Sequence, residues 1–236
     1  AFGEMFDGRY KTSNWASTPT GSLNMTSKGN LESYGGGLFI QYRERLAEAV
    51  NSGTFSRWMP GLHLETTARV GISDMDFRSS ALNPSIFDTD DTLYYGSSLG
   101  GGYVFEPNEK VAVDLYGYGT WVHREGTDVD DNLGQHIEFE DADSFRLISG
   151  FRASYEQKEN IRPYVGLAVD WETMGESEVR IDSHRTNEAE LAGVSGLFEL
   201  GVGIKTDDNS FLDVRFAGSA GQRDGLGGLM EVRYRF

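Results

Sequence analysis

The segment RPYVGLAVDWE, residues 162–172, decides the fold class because its side chains alternate strictly between two kinds. One set is apolar and comprises Val165, Leu167, Val169 and Trp171. The intervening set is smaller or more polar and comprises Tyr164, Gly166, Ala168, Asp170 and Glu172. Because successive side chains of a β-strand point to opposite faces, this alternation predicts a strand with one apolar and one polar face.

The same period of two recurs along almost the whole chain. It is clearest in LHLETTARVGIS (62–73), SFRLISGFRASY (144–155), LFELGVGIK (197–205), FLDVRFA (211–217) and the final GGLMEVRYRF (227–236). Such segments predict about ten strands, starting near Phe2 and ending at Phe236. No linker or low-complexity tract separates them, so residues 1–236 are expected to form a single domain.

Alternating strands of this kind occur both in soluble sandwiches and in membrane barrels. Hydrophobic residues make up 38% of the chain, and no apolar run approaches the roughly 20 residues that a membrane helix needs. Aromatic residues end several apolar faces, as at Tyr103, Tyr155 and Trp171. Aromatic girdles beside an outward apolar band are typical of membrane barrels. The pattern therefore predicts an all-β fold: a transmembrane antiparallel up-and-down β-barrel of the outer membrane.

The connections between these strands differ in length. The short ones are EPNEK (106–110), QKENI (157–161) and TDDNS (206–210). The long polar ones are Ser13–Ser33, Met75–Thr92, His123–Asp143 and Thr173–Gly193. Outer-membrane barrels alternate short periplasmic turns with long outer loops, and an even strand number leaves both chain ends on the periplasmic side. The exception is Leu46–Gly61, a longer link on the short side, which we interpret as carrying a helical turn.

Charge and cysteine content restrict the possible partners. The net charge of -16 argues against nucleic acid as a partner. The absence of cysteine excludes disulfides and thiolate metal sites. The chain opens at Ala1 without a visible signal peptide, so we interpret it as a processed or truncated product.

No motif in the sequence points to catalysis, a metal or a cofactor. The four histidines occur without HExxH or GxSxG. The acidic stretch DVDDN lacks the central glycine and closing glutamate of a calcium loop. A loop pair such as His123 with Asp143 keeps a surface hydrolase open as a minor alternative. The sequence therefore predicts a protein that is not an enzyme and has neither a metal site nor a cofactor, with weak binding of divalent cations by the acidic loops left open.

The polar faces of the predicted strands would line the interior of a barrel. Glycines in these positions have two interpretations: they leave room for something that passes through or plugs the pore, or they relieve strand bending. Charged residues of both signs are expected to pair across strands and to keep the lumen wet. The predicted lumen-facing set is Glu65, Arg69, Gly100, Gly102, Asp114, Arg146, Arg152, Gly166, Asp170, Glu199, Gly201, Gly203, Asp213, Arg215, Glu231 and Arg233.

Several segments, in order and spacing, resemble the C-terminal translocator barrel of classical monomeric autotransporters (type V secretion). They are FGEMFDGRYKT (2–12), ESYGGGLFIQYRE (32–44), YYGSSLGGGY (94–103), VAVDLYGYGTWVHREG (111–126), FEDADSFRLISGFRASY (139–155), IRPYVGLAVDWE (161–172), GLFELGVGI (196–204), FAGSAGQRDGLGG (216–228) and EVRYRF (231–236). The resemblance implies a twelve-stranded barrel preceded by a lumen-spanning helix and a secreted passenger. We therefore expect that one hairpin, the helix and the passenger preceded Ala1.

The terminal strand GGLMEVRYRF has its own interpretation. Its apolar set, Met230, Val232, Tyr234 and Phe236, resembles the signal read by the barrel assembly machinery. In a closed barrel this strand must pair with the first one. The expected partners are outer-membrane lipid with lipopolysaccharide, that machinery and the chain's own passenger, and the expected state is a monomer.

The resemblance implies a translocator that exports a passenger polypeptide and anchors it at the surface of a Gram-negative-type cell. Two other classes remain open on the residues alone. One is a pore or surface-adhesion barrel without a passenger, which would conduct ions regardless of an upstream helix. The other is the loop-based hydrolase, which replacement of His123 and His184 would inactivate.

Overall fold

The computed structural model of the protein describes residues 1–18, 21–44, 60–79, 86–158, 160–175, 178–182, 184–185, 192–206 and 210–234. All regular secondary structure within these ranges is β-strand. No helix in the described part is long and apolar enough to cross a membrane.

Ten long strands form one large antiparallel sheet. They are β1 (Phe2–Thr18), β2 (Gly21–Arg43), β3 (Gly61–Ser79), β4 (Ile86–Asn108), β5 (Val111–Arg124), β8 (Ala142–Tyr155), β9 (Ile161–Met174), β12 (Gly193–Lys205), β13 (Ser210–Gly221) and β14 (Gly225–Tyr234). Four short strands form a second sheet: β6 (Thr127–Asp130), β7 (His136–Phe139), β10 (Val179–Ile181) and β11 (His184–Arg185).

The large sheet is a meander in the order β1-β2-β3-β4-β5-β8-β9-β12-β13-β14, so the prediction of about ten up-and-down strands is confirmed. It curves into a half-barrel. Among the described residues β1 pairs only with β2, and β14 pairs only with β13. The predicted pairing of the last strand with the first is therefore wrong for this part of the chain. Alternation could not predict this, because closure of a sheet depends on strand tilt and stagger as well as on strand number.

The two faces of the sheet differ in a way opposite to that of a soluble protein. The apolar face carries exposed aliphatic and aromatic side chains, among them Leu115 at 52% and Val169 at 53% exposure. The opposite face, here called the polar face, holds buried ionisable groups, including Asp114 at 2% and Asp170 at 3% exposure. Exposed apolar side chains in a continuous band require an apolar solvent, which the lipid bilayer supplies.

Several segments predicted as long loops are instead continuations of strands. β1 runs to Thr18 and β2 begins at Gly21, so the predicted loop Ser13–Ser33 is wrong. Likewise β3 continues to Ser79 and β4 begins at Ile86, across most of the predicted loop Met75–Thr92. Hydrophobic alternation ends where the lipid band ends, but backbone pairing between neighbouring strands continues into the polar segments.

The other two long links fold together into the four-stranded sheet, here called the loop sheet, in the order β11-β10-β7-β6. Phe139 of β7 lies 5.6 Å, between ring centroids, from Phe87, which stacks on Phe77 at 4.9 Å. Phe77 lies six residues beyond Gly71 on β3, hence on the polar side of the large sheet. The loop sheet therefore docks against the inward side of the β3–β4 extension.

The link predicted to carry a helical turn, Leu46–Gly61, lies outside the described residues except at Pro60 and Gly61.

Candidate functional site

The candidate site is the polar face of the large sheet. The strand registers place every residue of the predicted lumen-facing set at a position on this face, including Glu65 of β3, Arg152 of β8 and Glu231 of β14. The reason is that side chains alternate along each strand, and antiparallel pairing places polar positions of neighbouring strands opposite one another. The members of this set belong to seven neighbouring strands, β3, β4, β5, β8, β9, β12 and β13, and to β14 at the edge.

A chain of polar contacts runs across this face from β3 to β13, with members on five of the seven strands in that stretch. His63 Nε2 lies 2.8 Å from Asp114 Oδ1, and the other Asp114 oxygen lies 3.6 Å from Arg152. Arg152 also pairs with Glu199, whose second oxygen lies 3.5 Å from Arg215. His63, Asp114 and Arg152 are each at least nine-tenths buried. Buried charges of this kind are tolerated because each one has a partner.

A second group of contacts lies toward the loop sheet. Arg146 pairs with Asp170. Glu172 accepts a hydrogen bond from the Ser144 hydroxyl at 2.9 Å and pairs with Arg223 at 2.7 Å. Asp170 and Glu172 are both only 3% exposed. Acidic residues therefore line this part of the face without unbalanced negative charge at these positions.

Glycines of the polar face are covered by side chains from neighbouring strands. A Cβ added at Gly102 would lie 2.8 Å from His63 Nε2, and one at Gly166 would lie 2.6 Å from Glu199 Oε1. The Tyr118 ring similarly covers Gly100 and donates its hydroxyl to Glu65. The space at these glycines is thus used by adjacent long side chains, as in the pairing of aromatic residues with strand glycines.

Tyr94 shows the same arrangement over a longer distance. Its hydroxyl donates to Glu4 at 2.8 Å, although two strands separate them. The side chain crosses Gly71 of β3 and Gly35 of β2, where an added Cβ would lie 2.5 Å and 2.6 Å from the Tyr94 oxygen. Each of these glycines removes a side chain that would block the bridge between β4 and β1.

The contacts of four residues on this face were not predicted from the sequence: those of His63 with Asp114, and those of the three tyrosines that cross glycines, Tyr94, Tyr118 and Tyr164. Tyr164 lies over Gly201 and donates to Asp213 at 2.8 Å. The sequence did indicate the face on which each tyrosine lies. Each one is an even number of residues from most charged positions of its strand and an odd number from most of the apolar ones.

A cleft of about 600 Å³ opens on the polar face near the loop sheet. Its polar lining includes Glu4, Arg69, Tyr94 and Arg124, and Arg69 lies 3.6 Å from Glu4. The remaining walls are largely apolar and include Phe6, Leu31, Met75 and Val122.

His123 lies in a cluster of aromatic and carboxylate side chains. His123 Nδ1 lies 3.2 Å from Asp143, which also accepts from Trp121 at 3.0 Å. The Tyr95 ring lies 4.9 Å from the His123 ring, between centroids, in a tilted arrangement. The group lies at the rim of the apolar face, where aromatic residues are common in membrane barrels.

His136 is an exposed member of the loop sheet. It lies 3.0 Å from Asp130. The hydrogen bond to that carboxylate raises the pKa of His136 above its ordinary value of 6.5. The pairing is solvent-exposed, so it contributes little to stability.

Acidic residues cluster elsewhere without forming a metal centre. A cleft of about 480 Å³ is lined by Asn30, Glu32, Asp74, Asp76, Asp88, Thr89 and Asp91. In the DVDDN stretch, Asp131 accepts backbone N–H bonds from Leu133 at 2.8 Å and Gln135 at 2.9 Å, so it stabilises a turn. No group of three or more metal-ligating side chains is arranged to hold an ion within the ranges that the structure describes.

The terminal strand exposes its apolar side. Met230 and Val232 are each 69% exposed, and the backbone of Tyr234 pairs with Ser210 of β13. Phe236 lies outside the described residues.

Comparison with known proteins identifies the family. A family model described as the autotransporter beta-domain matches residues 16–217. The fold is similar to the transport unit of the autotransporter AIDA-I from Escherichia coli, with a TM-score of 0.72 and 14% identity over 99% of this chain and 83% of that one. It is also similar to the beta domain of the Bordetella autotransporter BrkA, with a TM-score of 0.62 and 15% identity over 99% of this chain and 92% of that one.

Comparison with curated protein sequences finds no match. The family model, however, covers most of the chain, and the strand meander with its exposed apolar face agrees with it. This chain therefore belongs to the autotransporter β-domain family, the outer-membrane translocators of Gram-negative bacteria that export a passenger polypeptide.

Proposed function

We propose that the polar face lines an aqueous lumen through which the passenger polypeptide crosses the outer membrane. The inverted burial of the two faces carries this proposal: charged side chains are buried on one face while aliphatic side chains are exposed on the other. A polypeptide in transit carries polar backbone groups that cannot be left unpaired in lipid. A lumen walled by hydrogen-bonding and charged groups of both signs solvates such a chain without binding it tightly.

We further propose that this domain works with an upstream hairpin, a plug helix and a passenger that precede Ala1. The two free edges of the half-barrel support the hairpin. β1 and β14 each have one side without a strand partner among the described residues. Unpaired edge N–H and C=O groups are costly in lipid, so a membrane-inserted sheet must close. An antiparallel hairpin placed between the two edges would supply the missing pairing.

Surface display tests both proposals. An epitope-tagged polypeptide would be fused either ahead of the segment that precedes Ala1 in the parent protein or directly to Ala1. We expect external protease to remove the tag from intact cells only when the upstream segment is present. Equal display from both fusions would contradict the hairpin proposal. A tag that stays inside in both cases, with the barrel inserted, would contradict translocation.

The barrel assembly machinery is the proposed partner of the terminal strand, through the alternate apolar positions Met230, Val232, Tyr234 and Phe236. Exposure of Met230 and Val232 on the apolar face supports an accessible recognition surface. Outer-membrane lipid and lipopolysaccharide would contact the exposed apolar band, and we expect the domain to be monomeric. We assign no catalytic role to the domain, since translocation needs only the lined lumen.

Replacing Phe236 with serine should lower assembly in the outer membrane more than it lowers refolding in detergent micelles. The reason is that a recognition signal acts only when the machinery is present, whereas packing acts in both settings. The amount of heat-modifiable barrel in membranes and in micelles measures the two effects. Replacement of Leu226, which is 86% exposed on the same strand, provides the control. Equal loss in both settings would mean that Phe236 only packs.

A further inference from the structure

Arg124 differs from several other cations of the polar face because one of its guanidinium nitrogens is buried without an acceptor in the described part of the chain. Its Nη2 atom is buried and makes no hydrogen bond there. By contrast, Arg69, Arg152 and Arg215 each lie within 3.6 Å of a carboxylate. A buried N–H donor without an acceptor is costly, and more so when the group is charged. The position of Arg124 therefore indicates a partner that binds from outside the described residues.

The surroundings of Arg124 restrict the chemistry of that partner. It is the last residue of β5, opposite Tyr94 of β4, and it lines the cleft of about 600 Å³ near the loop sheet. The ionic groups of this cleft are Glu4, Arg69 and Arg124. Because Glu4 already pairs with Arg69, one positive charge is left over. An anionic group satisfies it, and a carboxylate suits the forked donors of arginine.

The rest of the cleft favours a polypeptide over a small free anion. Phe6, Leu31, Met75 and Val122 supply apolar wall that an inorganic anion would not use. Apolar side chains on either side of an acidic residue would bury their surface there. The cleft also lies at the loop end of β5, where a polypeptide that has crossed the lumen would leave it.

We propose that Arg124 binds a carboxylate side chain, Asp or Glu, of a polypeptide segment in the lumen, while flanking apolar side chains pack against Phe6, Leu31 and Val122. The identity of the occupant rests on the proposed function, and the charge and shape of the cleft do not. Such a contact would fix which residue of the segment lies at the outer end of the lumen. The rest of the wall would place no requirement on the sequence of the segment.

The test uses the chain refolded in detergent and two fluorescent 16-residue amphipathic peptides that differ only in a central Glu or Gln. Fluorescence anisotropy gives the Kd of each peptide. A charged hydrogen bond of this kind is expected to favour the Glu peptide by about tenfold. In Arg124→Gln the ratio of the two constants should fall to about one. In the matched control Arg215→Gln, which removes a cation already paired with Glu199, the ratio should persist.

Because the readout is a ratio within each variant, a smaller fraction of folded protein does not change it. An unchanged ratio in Arg124→Gln, equal binding of both peptides by the unaltered chain, or no binding of either would overturn the inference. Arg124-dependent binding of inorganic phosphate without preference for the Glu peptide would overturn it as well. None of these outcomes bears on surface display, which judges translocation separately.

Discussion

Replacing Asp114 with alanine should lower the free energy of unfolding by about 3 kcal/mol. Asp114 is 2% exposed and contacts both His63 at 2.8 Å and Arg152 at 3.6 Å. Breaking a buried ion pair typically costs about 3–5 kcal/mol, because the remaining charge is left without compensation. We expect the lower end of that range, since Arg152 keeps its contact with Glu199.

Urea unfolding in detergent micelles, followed by the fluorescence of the four tryptophans, measures this change. Asp143→Ala is the matched control, because it also removes the carboxylate of a His–Asp pair, here with His123. The Asp143 side chain is 48% exposed, so its loss should cost less than about 1 kcal/mol. Similar costs for the two variants would show that the chain of contacts from His63 to Arg215 lies in water and does not organise the wall.

Replacing Gly201 with valine should destabilise the barrel by about 1–3 kcal/mol, the usual cost of overpacking. A Cβ at this position would lie 2.5 Å from the Tyr164 hydroxyl oxygen. The tyrosine would have to leave its place and lose its 2.8 Å hydrogen bond to Asp213. The backbone of β12 adopts an ordinary extended conformation here, so the cost arises from the tyrosine.

The double variant Gly201→Val with Tyr164→Ala isolates that cause. We expect it to be more stable than the sum of the two single changes, with a coupling that urea unfolding can measure. Gly117→Val is the control on β5, where an added Cβ meets nothing closer than 3.7 Å and a β-branched residue favours the strand. Additive single effects, or an equal loss at Gly117, would contradict the covering of Gly201 by Tyr164.

The positions of the strands and the face on which each side chain lies could be predicted from the sequence, because the alternation of apolar and polar residues shows both. In β9 the exposed series from Val165 to Trp171 alternates with a smaller or more polar series that lies on the less exposed side. The lipid solvent explains why the pattern is clear: most outward side chains across the band are apolar, so the same alternation repeats from strand to strand.

The pairing of the loops and the covering of the glycines could not be predicted, because alternation carries no information about either. The loops after Arg124 and Met174 pair with each other through Val179 and Phe139, a contact between segments about 40 residues apart in sequence. The glycine positions were predicted, but their coverage depends on which neighbour is long enough to reach over them, as His63 reaches over Gly102.

The central claim is that the polar face borders water and the apolar face borders lipid. The chain has no cysteine, so single cysteines can be placed at each position of β5 from Val113 to Val122. Reaction with a water-soluble maleimide and with a lipid-soluble one, in the outer membrane of whole cells, is the most direct measurement. We expect labelling with a period of two, with Tyr116 and Thr120 positions labelled from water and Leu115 and Trp121 positions from lipid. Labelling without alternation, or with the two sets exchanged, would contradict it.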